Sequence, residues 1–292
     1  MATTIQSAFE QLKENLEITG LQKSTVSTRQ KSVRKALEDD LTVLESFLTG
    51  SYSKHTMIAP LKDADVDIFV VLHSDYYHRY NGQNGGQGGL LDLVKRTLRN
   101  TYTETPEISR NGQAVTITFT DFVVDVVPCF KRQGGGYLIP DSNAQSWIAT
   151  DPTVHVNLMS EQNTAHNDDL VPLVKMIKGW NRNIGHSFIS FFLELIAIDI
   201  LRGVTITDFP SGMRYFFDKG REKIKYKAKD PAGFGHQING LDNVSTVALA
   251  IKKFETAYNR AVAAEQSDNN LNVYSAVEGW RKIFGDYFPA YG

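Results

Sequence analysis

Residues 49–72 read TGSYSKHTMIAPLKDADVDIFVVL, a Gly-Ser turn followed by three alternating aspartates and an unbroken apolar run. The segment DVDIFVVL, residues 65–72, has the β-branched composition of a buried strand. On an extended strand residues i and i+2 share a face, so Asp65 and Asp67 present two carboxylates side by side. Two anions at the edge of a core repel one another, and burying either without a partner is costly. A cation between them removes that cost. Hard oxygen ligands suit Mg²⁺ or Mn²⁺, and Mg²⁺ commonly takes one or two protein carboxylates, with waters and phosphate oxygens completing its shell. The stretch therefore points to phosphoryl or nucleotidyl transfer. Asp63 shares the alternation but lies farther from the strand, and is read as a turn or supporting residue.

A third carboxylate lies in FVVDVVPCF, where Asp125 is flanked on both sides by valine, a poor setting for a purely structural acid. If this strand lies beside the first, three carboxylates can serve a two-ion site that activates an attacking hydroxyl, holds a triphosphate and supports in-line displacement at phosphorus. The expected metal ligands are Asp65, Asp67 and Asp125, with Asp125 on the side of the nucleophile. The Gly50-Ser51 turn supplies the phosphate contacts: glycine lets the backbone approach closely, while amides and the Ser51 hydroxyl donate to phosphate oxygens. Lys54 and Thr56 are placed to assist.

Around this motif, helical periodicity over 4–16 (Ile5, Phe9, Leu12, Leu16) and 25–37 (Val26, Val33, Leu37) predicts two opening helices. LTVLESFLTG predicts a strand ending at Gly50, HRYNGQNGGQGG a mobile surface loop, and LLDLVKRTLRNTY a helix. AVTITFT and FVVDVVPCF predict two more strands. Beyond about residue 145 only helical patterns are read, in LVPLVKMIKGWNR, FISFFLELIAIDILRG, VSTVALAIKKFETAYNRAVAAEQ and VYSAVEGWRKIFGDYF. The fold class expected is α+β: a mixed-sheet catalytic lobe with N-terminal helices over 1–145, and a helical lobe over 146–292.

The 292 residues carry a net charge of −2, which gives no general attraction to a polyanion. One cysteine, Cys129, excludes an internal disulfide and a multi-cysteine zinc module, and is expected to be a small buried residue. MATTIQSAFEQLKENLEIT lacks the apolar core of a secretory leader, and no run reaches the length of a membrane span, so a cytoplasmic protein is expected. His155, His166 and His186 lack metal-ligand spacing. Trp147 and Trp180 are read as packing residues, Glu194 as an ion-pair partner, and Asp151 before Pro152 as a helix cap. Tyr137 and Phe191 could stack on a nucleobase or serve the core.

Gly-Ser followed by Asp-x-Asp and a distant strand Asp resembles the polymerase-β-type nucleotidyltransferases. YLIPD (137–141), Trp147 with TDP (150–152), LVKMIKGWN and SFFLEL further resemble the bacterial cGAS/DncV-like enzymes and the related oligoadenylate synthases, over residues 45–205. The resemblance implies a bilobal polymerase-β-like fold. It also implies that Lys178, in MIKGWN, and Ser190, before FFLEL, contact the donor triphosphate. The implied activity is template-independent joining of NTPs, ATP among them, into a cyclic di- or trinucleotide second messenger for antiphage signalling. Pyrophosphate is released, and two Mg²⁺ or Mn²⁺ ions serve each active site. A downstream effector would be reached through the product, and a regulatory protein is a possible partner. No zinc thumb and no activation by DNA are expected. A linear oligonucleotide synthase, nucleotidyl transfer to RNA or protein, and an inactive nucleotide-binding module stand as alternatives.

Overall fold

The computed structural model describes residues 3–104 and 107–292. In chain order the elements are α1 Ile5–Leu16, α2 Gly20–Glu38, β1 Val43–Leu48, α3 Gly50–Ser53, β2 Asp65–Leu72, α4 Ser74–Tyr80, α5 Gly86–Thr101, β3 Glu107–Asn111, β4 Ala114–Thr118 and β5 Val123–Lys131. There follow β6 Tyr137–Asp141, β7 Ser146–Thr150, α6 Pro152–Ala165, α7 Leu170–Asn183, α8 Ser190–Leu201, α9 Phe209–Lys223, β8 Ala228–Lys229, β9 Gln237–Ile238, α10 Val247–Asn269 and α11 Val273–Phe284. None of the described helices is long and apolar enough to cross a membrane.

The chain forms two compact units, Ile18–Asn157 and a second made of the chain up to Glu17 with Leu158–Gly292. This differs from the expected division at 145/146. The stripe Ile5, Phe9, Leu12 and Leu16 that predicts α1 is fully used within the helical unit, where the Phe9 ring meets Trp280 edge-on at 4.9 Å and Phe288 at 5.2 Å. Periodicity reveals that a face is buried, not what covers it.

In the strand-rich unit the sheet runs β1-β2-β5-β4-β3, with β6 and β7 continuing from the far end of β5. Among the described residues only β2 and β5 pair in parallel; their neighbours are antiparallel. Val66, Ile68, Val70 and Leu72 of β2 and Val124 and Val126 of β5 join Val26, Val33 and Leu37 of α2 and Leu90, Leu91, Val94 and Leu98 of α5 in one core. Each such side chain contributes about 1.5–3 kcal/mol when fully buried. The opposite face carries a smaller cluster, Phe69, Val71, Val127, Cys129 and Ile139, covered by Phe47, Tyr137 and Ile148. Burial there pushes the Cys129 thiol well above its ordinary range. Tyr137 lies within 5.4 Å of the Phe47 ring centroid and 6.1 Å of that of Phe69, a core position.

Three expectations change in this unit. β1 ends at Leu48, because Gly50 takes a φ of +63° and turns the chain into α3. Strands do not stop near 145: β6 and β7 form a hairpin in which Pro140 pairs with Trp147, whose ring packs on Tyr77 and Phe130. The glycine-rich segment is not a loop throughout, since Gly86–Gly89 form the first turn of α5. Two causes act on its glycines: a Cβ on Gly89 would lie 2.1 Å from the Asn84 carbonyl oxygen, and Gly82, Gly85 and Gly86 take positive φ.

The helical unit is centred on Trp180, stacked on Phe188 at 5.4 Å and surrounded by Phe217 and Phe254. His166 is buried and bonded to the carbonyl oxygens of Gln162 and Leu201, whereas His186 is exposed. Helix α9 was not read in the sequence despite its signals, Asp208 as cap and Pro210 in the first turn. At Gly220 in α9 a Cβ would stand 2.3 Å from Phe254 Cε1. A Gly-to-Ala change inside a helix normally stabilises by about 0.5–1 kcal/mol, but here the buried ring cannot retreat. Gly220→Ala is expected to destabilise the protein by about 1–3 kcal/mol, read as a lower urea midpoint. A raised midpoint would show that the ring moves aside.

Candidate active site

Strand register brings the aspartates together. Asp67 pairs with Asp125 across the parallel β2/β5 ladder, and Asp65 pairs with Val123. Directly opposed residues share a face and neighbouring strands lie about 4.8 Å apart. Asp65, Asp67 and Asp125 therefore lie on the face opposite α2 and α5, beyond the end of the small apolar cluster. Asp65 is exposed, and Asp67 and Asp125 are half-buried.

The Gly-Ser turn is fastened to the same place. Thr49 N–H donates to the Asp67 carbonyl oxygen at 3.0 Å, extending the β1/β2 pairing into the turn. A Cβ on Gly50 would sit 1.9 Å from Asp67 Oδ2, so the backbone of residue 50 lies against the carboxylate and admits no side chain. The Ser51 carbonyl oxygen accepts from Thr56 N at 2.9 Å and Met57 N at 3.0 Å, closing the loop back on itself. Lys54 and Thr56 are buried within it.

Asp125 has a partner that the sequence reading did not find. Thr116 Oγ1, opposite it on β4, donates to Asp125 Oδ1 at 2.6 Å, and Asn111 Nδ2 donates to Thr116 Oγ1 at 3.0 Å. Its only signal was alternation in AVTITFT, which puts Thr116 on the face opposite Val115 and Ile117.

The donor set is all carboxylate oxygen and suits a hard divalent ion. Among the described residues, however, no three His, Cys, Asp or Glu side chains stand close enough to hold one ion together. The expected convergence of Asp65, Asp67 and Asp125 around one point is thus not present in this structure. Asp125 is turned to Thr116, and Asp65 lies about 7 Å along the strand from Asp67. Two carboxylates suffice for Mg²⁺ when phosphate oxygens and waters complete the shell, and in that form the residues fit the ion. The Asp63 backbone closes a 3₁₀ turn, Leu61–Asp63; its side chain, and the supporting role considered for it, lie outside the described residues.

Lys178 and Ser190 belong to the helical unit. Lys178 is buried, its Nζ 2.6 Å from Glu194 Oε1, a carboxylate only 2% exposed. Lys175, in the same helix, is likewise buried and paired with Glu17. Ser190 opens α8 and is exposed.

A family model described as "Second Messenger Oligonucleotide or Dinucleotide Synthetase domain" matches residues 3–163. The chain is 25% identical over 308 residues to a cyclic AMP-AMP-AMP synthase of an Acinetobacter species, covering 98% of this chain and 86% of that protein. The fold of this chain is similar to that of CdnC of Escherichia coli MS115-1. The structure of that protein with ATP has a TM-score of 0.74 at 19% identity, covering 98% of this chain and 99% of the other. CdnC in complex with HORMA-deltaN gives a TM-score of 0.73 at 20% identity, covering 98% of both chains.

Thr116→Val keeps the shape and removes the hydroxyl that holds Asp125. It is expected to weaken Mn²⁺ binding about 10–100-fold, with Thr116→Ser close to wild type. Equal Mn²⁺ affinity in the valine variant, followed by paramagnetic titration, would remove Thr116 from the site.

Proposed function

The chain belongs to the Second Messenger Oligonucleotide or Dinucleotide Synthetase family, and from that premise we propose that it joins NTPs, without a template, into a cyclic di- or trinucleotide and releases pyrophosphate. The observation that carries this reading is the fastening of Gly50 against Asp67, with Asp125 in register on the neighbouring strand. A bare turn backed by carboxylates is a place where a triphosphate can lie close to the main chain.

In the proposed reaction the 2′- or 3′-hydroxyl of one nucleotide attacks the α-phosphorus of another. The new P–O bond forms as the bond to pyrophosphate breaks, and the hydroxyl proton leaves to a base. Asp65 and Asp67 hold the donor side, and Asp125 faces the nucleophile and receives its proton directly or through water. Thr116 and Asn111 keep Oδ1 of Asp125 engaged, which leaves Oδ2 for the acceptor side. Divalent ions, Mg²⁺ or Mn²⁺, would neutralise triphosphate charge and acidify the attacking hydroxyl when bound. The amides of Gly50 and Ser51 orient phosphate oxygens. Lys178 and Ser190, in the helical unit, are assigned a triphosphate-contacting role on the resemblance of MIKGWN and SFFLEL alone. Lys178 must share or exchange Glu194 to reach a phosphate, since its ammonium is buried in that pair.

ATP is the first substrate to test, because the Acinetobacter relative is named for a product built from AMP and the E. coli structure was obtained with ATP. A role in antiphage signalling through an effector that senses the product follows from the family resemblance. A regulatory protein is proposed because CdnC is found in complex with HORMA-deltaN.

Incubation with the four NTPs and Mg²⁺ is expected to give an oligonucleotide that survives phosphatase and has the mass of a ring. A phosphatase-sensitive product would indicate a linear synthase, and no pyrophosphate release would indicate an inactive module. Asp67→Asn should abolish the product with the fold unchanged by circular dichroism. Gly50→Ala should lower turnover by at least about 100-fold, because its Cβ displaces the carboxylate that a 1 Å misplacement already disables. Near-normal turnover in Gly50→Ala would rule out the close approach as a requirement.

A further inference from the structure

The strand-rich unit holds an open cavity of about 860 Å³ at the start of α5, bounded by the glycine-rich segment, the β3–β4 turn and the β6–β7 turn. Arg110 of β3 lines it and follows Ile108, a core residue, by two positions, so the cavity lies on the helix-covered face of the sheet, opposite the carboxylates. Its walls are tied together. Arg110 Nη1 donates to the Gly88 carbonyl oxygen at 2.9 Å and stands 3.4 Å from Asp92 Oδ2, and Ser142 N–H donates to the Gly112 carbonyl oxygen at 2.7 Å.

Helix α5 is 16 residues long and has no side-chain cap, because Gly85 occupies the capping position with a φ of +83°. The N–H groups of Gln87 and Gly88 find no acceptor among the described residues. Free amides at the positive end of a helix favour an oxyanion.

A second feature is independent of the helix end. Gln87 lies on the buried face of α5, one turn before Leu90 and Leu91, and is only 7% exposed. Gln83 and Asn84 beside it donate to the carbonyl oxygens of His78 and Arg79, whereas the Gln87 carboxamide forms no hydrogen bond among the described residues. Its amide atoms are not among the unpartnered ones sealed from solvent, as Trp280 Nε1 is, and the surface they keep opens into the cavity that Gln87 lines. Buried amides normally have a partner, so this one is available to an oxygen placed over the helix start. Arg96, farther along α5, borders the same cavity, is exposed and pairs with no carboxylate among the described residues. With Arg110 engaged by Asp92, Arg96 leaves one positive charge uncompensated.

Apart from Tyr80, every side chain around the cavity is polar, and the remaining positions are glycine. Such a lining offers donors and acceptors to hydroxyl groups and little to a hydrocarbon. The volume also exceeds what a phosphate group alone fills.

We propose that this cavity binds a sugar phosphate. The phosphate sits over the start of α5 with Gln87 and Arg96, and the sugar hydroxyls meet Ser142, Asn143 and Gln145. The site is separate from the carboxylates, and its occupancy does not depend on the nucleotide reaction.

Calorimetric titration of the full chain with glucose 6-phosphate is expected to show saturable one-site binding with a Kd of ~1 mM or tighter. Glucose, without the charge, should bind at least about tenfold more weakly, and inorganic phosphate, without the hydroxyls, should also bind more weakly. Gln87→Leu, close in size and on an apolar helix face, should weaken binding of the sugar phosphate about tenfold. Arg96→Gln, at an exposed position less able to disturb folding, should weaken it about 2–5-fold. Gly50→Ala, beside the carboxylates, should leave it unchanged. The proposal is overturned if glucose 6-phosphate does not saturate, if glucose or inorganic phosphate binds as tightly, or if either the Gln87 or the Arg96 variant binds like the unchanged protein. Loss of binding in Gly50→Ala would place the ligand at the carboxylates instead and overturn it equally.

Discussion

In-register pairing of the parallel strands β2 and β5 puts Asp67 beside Asp125 on one sheet face, and the rest of the strand-rich unit is arranged around that pair. Two carboxylates at strand spacing repel each other, so the fold must hold them against that repulsion. It does so from behind. The alternate residues of both strands are aliphatic and buried against α2 and α5, which fixes the register of the acids without their participation. A slip of one residue would turn the carboxylates into the core and the valines toward solvent.

Everything that touches the pair adapts to it. The turn after β1 needs a residue with neither a side chain nor a preference for negative φ, and glycine at 50 meets both conditions. On the other side Thr116 spends its hydroxyl on Asp125 and is itself supplied by Asn111, so one oxygen of that acid is oriented before any substrate arrives. Orientation of this kind is how a ligand or base is kept in one rotamer.

The helical unit handles its charges differently. Lys178 and Glu194 are taken inside as a pair, where each offsets the desolvation of the other, whereas the buried Lys175 reaches a Glu17 that stays in contact with water. At the C-terminal end of α10 the balance is not closed: Glu265 has one guanidinium, and Asp268 has none.

The strand DVDIFVVL, the strand around Asp125 and the long helices of the second half were legible because period and composition are local properties that survive without tertiary contacts. So was the pairing of Asp-x-Asp with a preceding Gly-Ser, since strand alternation alone puts both acids on one face. β6 and β7 were not legible, because five-residue strands carry little regular pattern and draw their stability from neighbours, whereas α9, fifteen residues long, has its start signals in Asp208 and Pro210. The sequence by itself determined an α+β chain with a carboxylate-bearing strand edge and a phosphate-type turn. Only the tertiary structure decided which residues face which. Register chose Asp125 as the partner of Asp67 and Thr116 as the partner of Asp125, packing gave α1 to the helical unit, and burial closed Lys178 onto Glu194. Those outcomes depend on contacts between residues far apart in the chain, whose energies no local window contains.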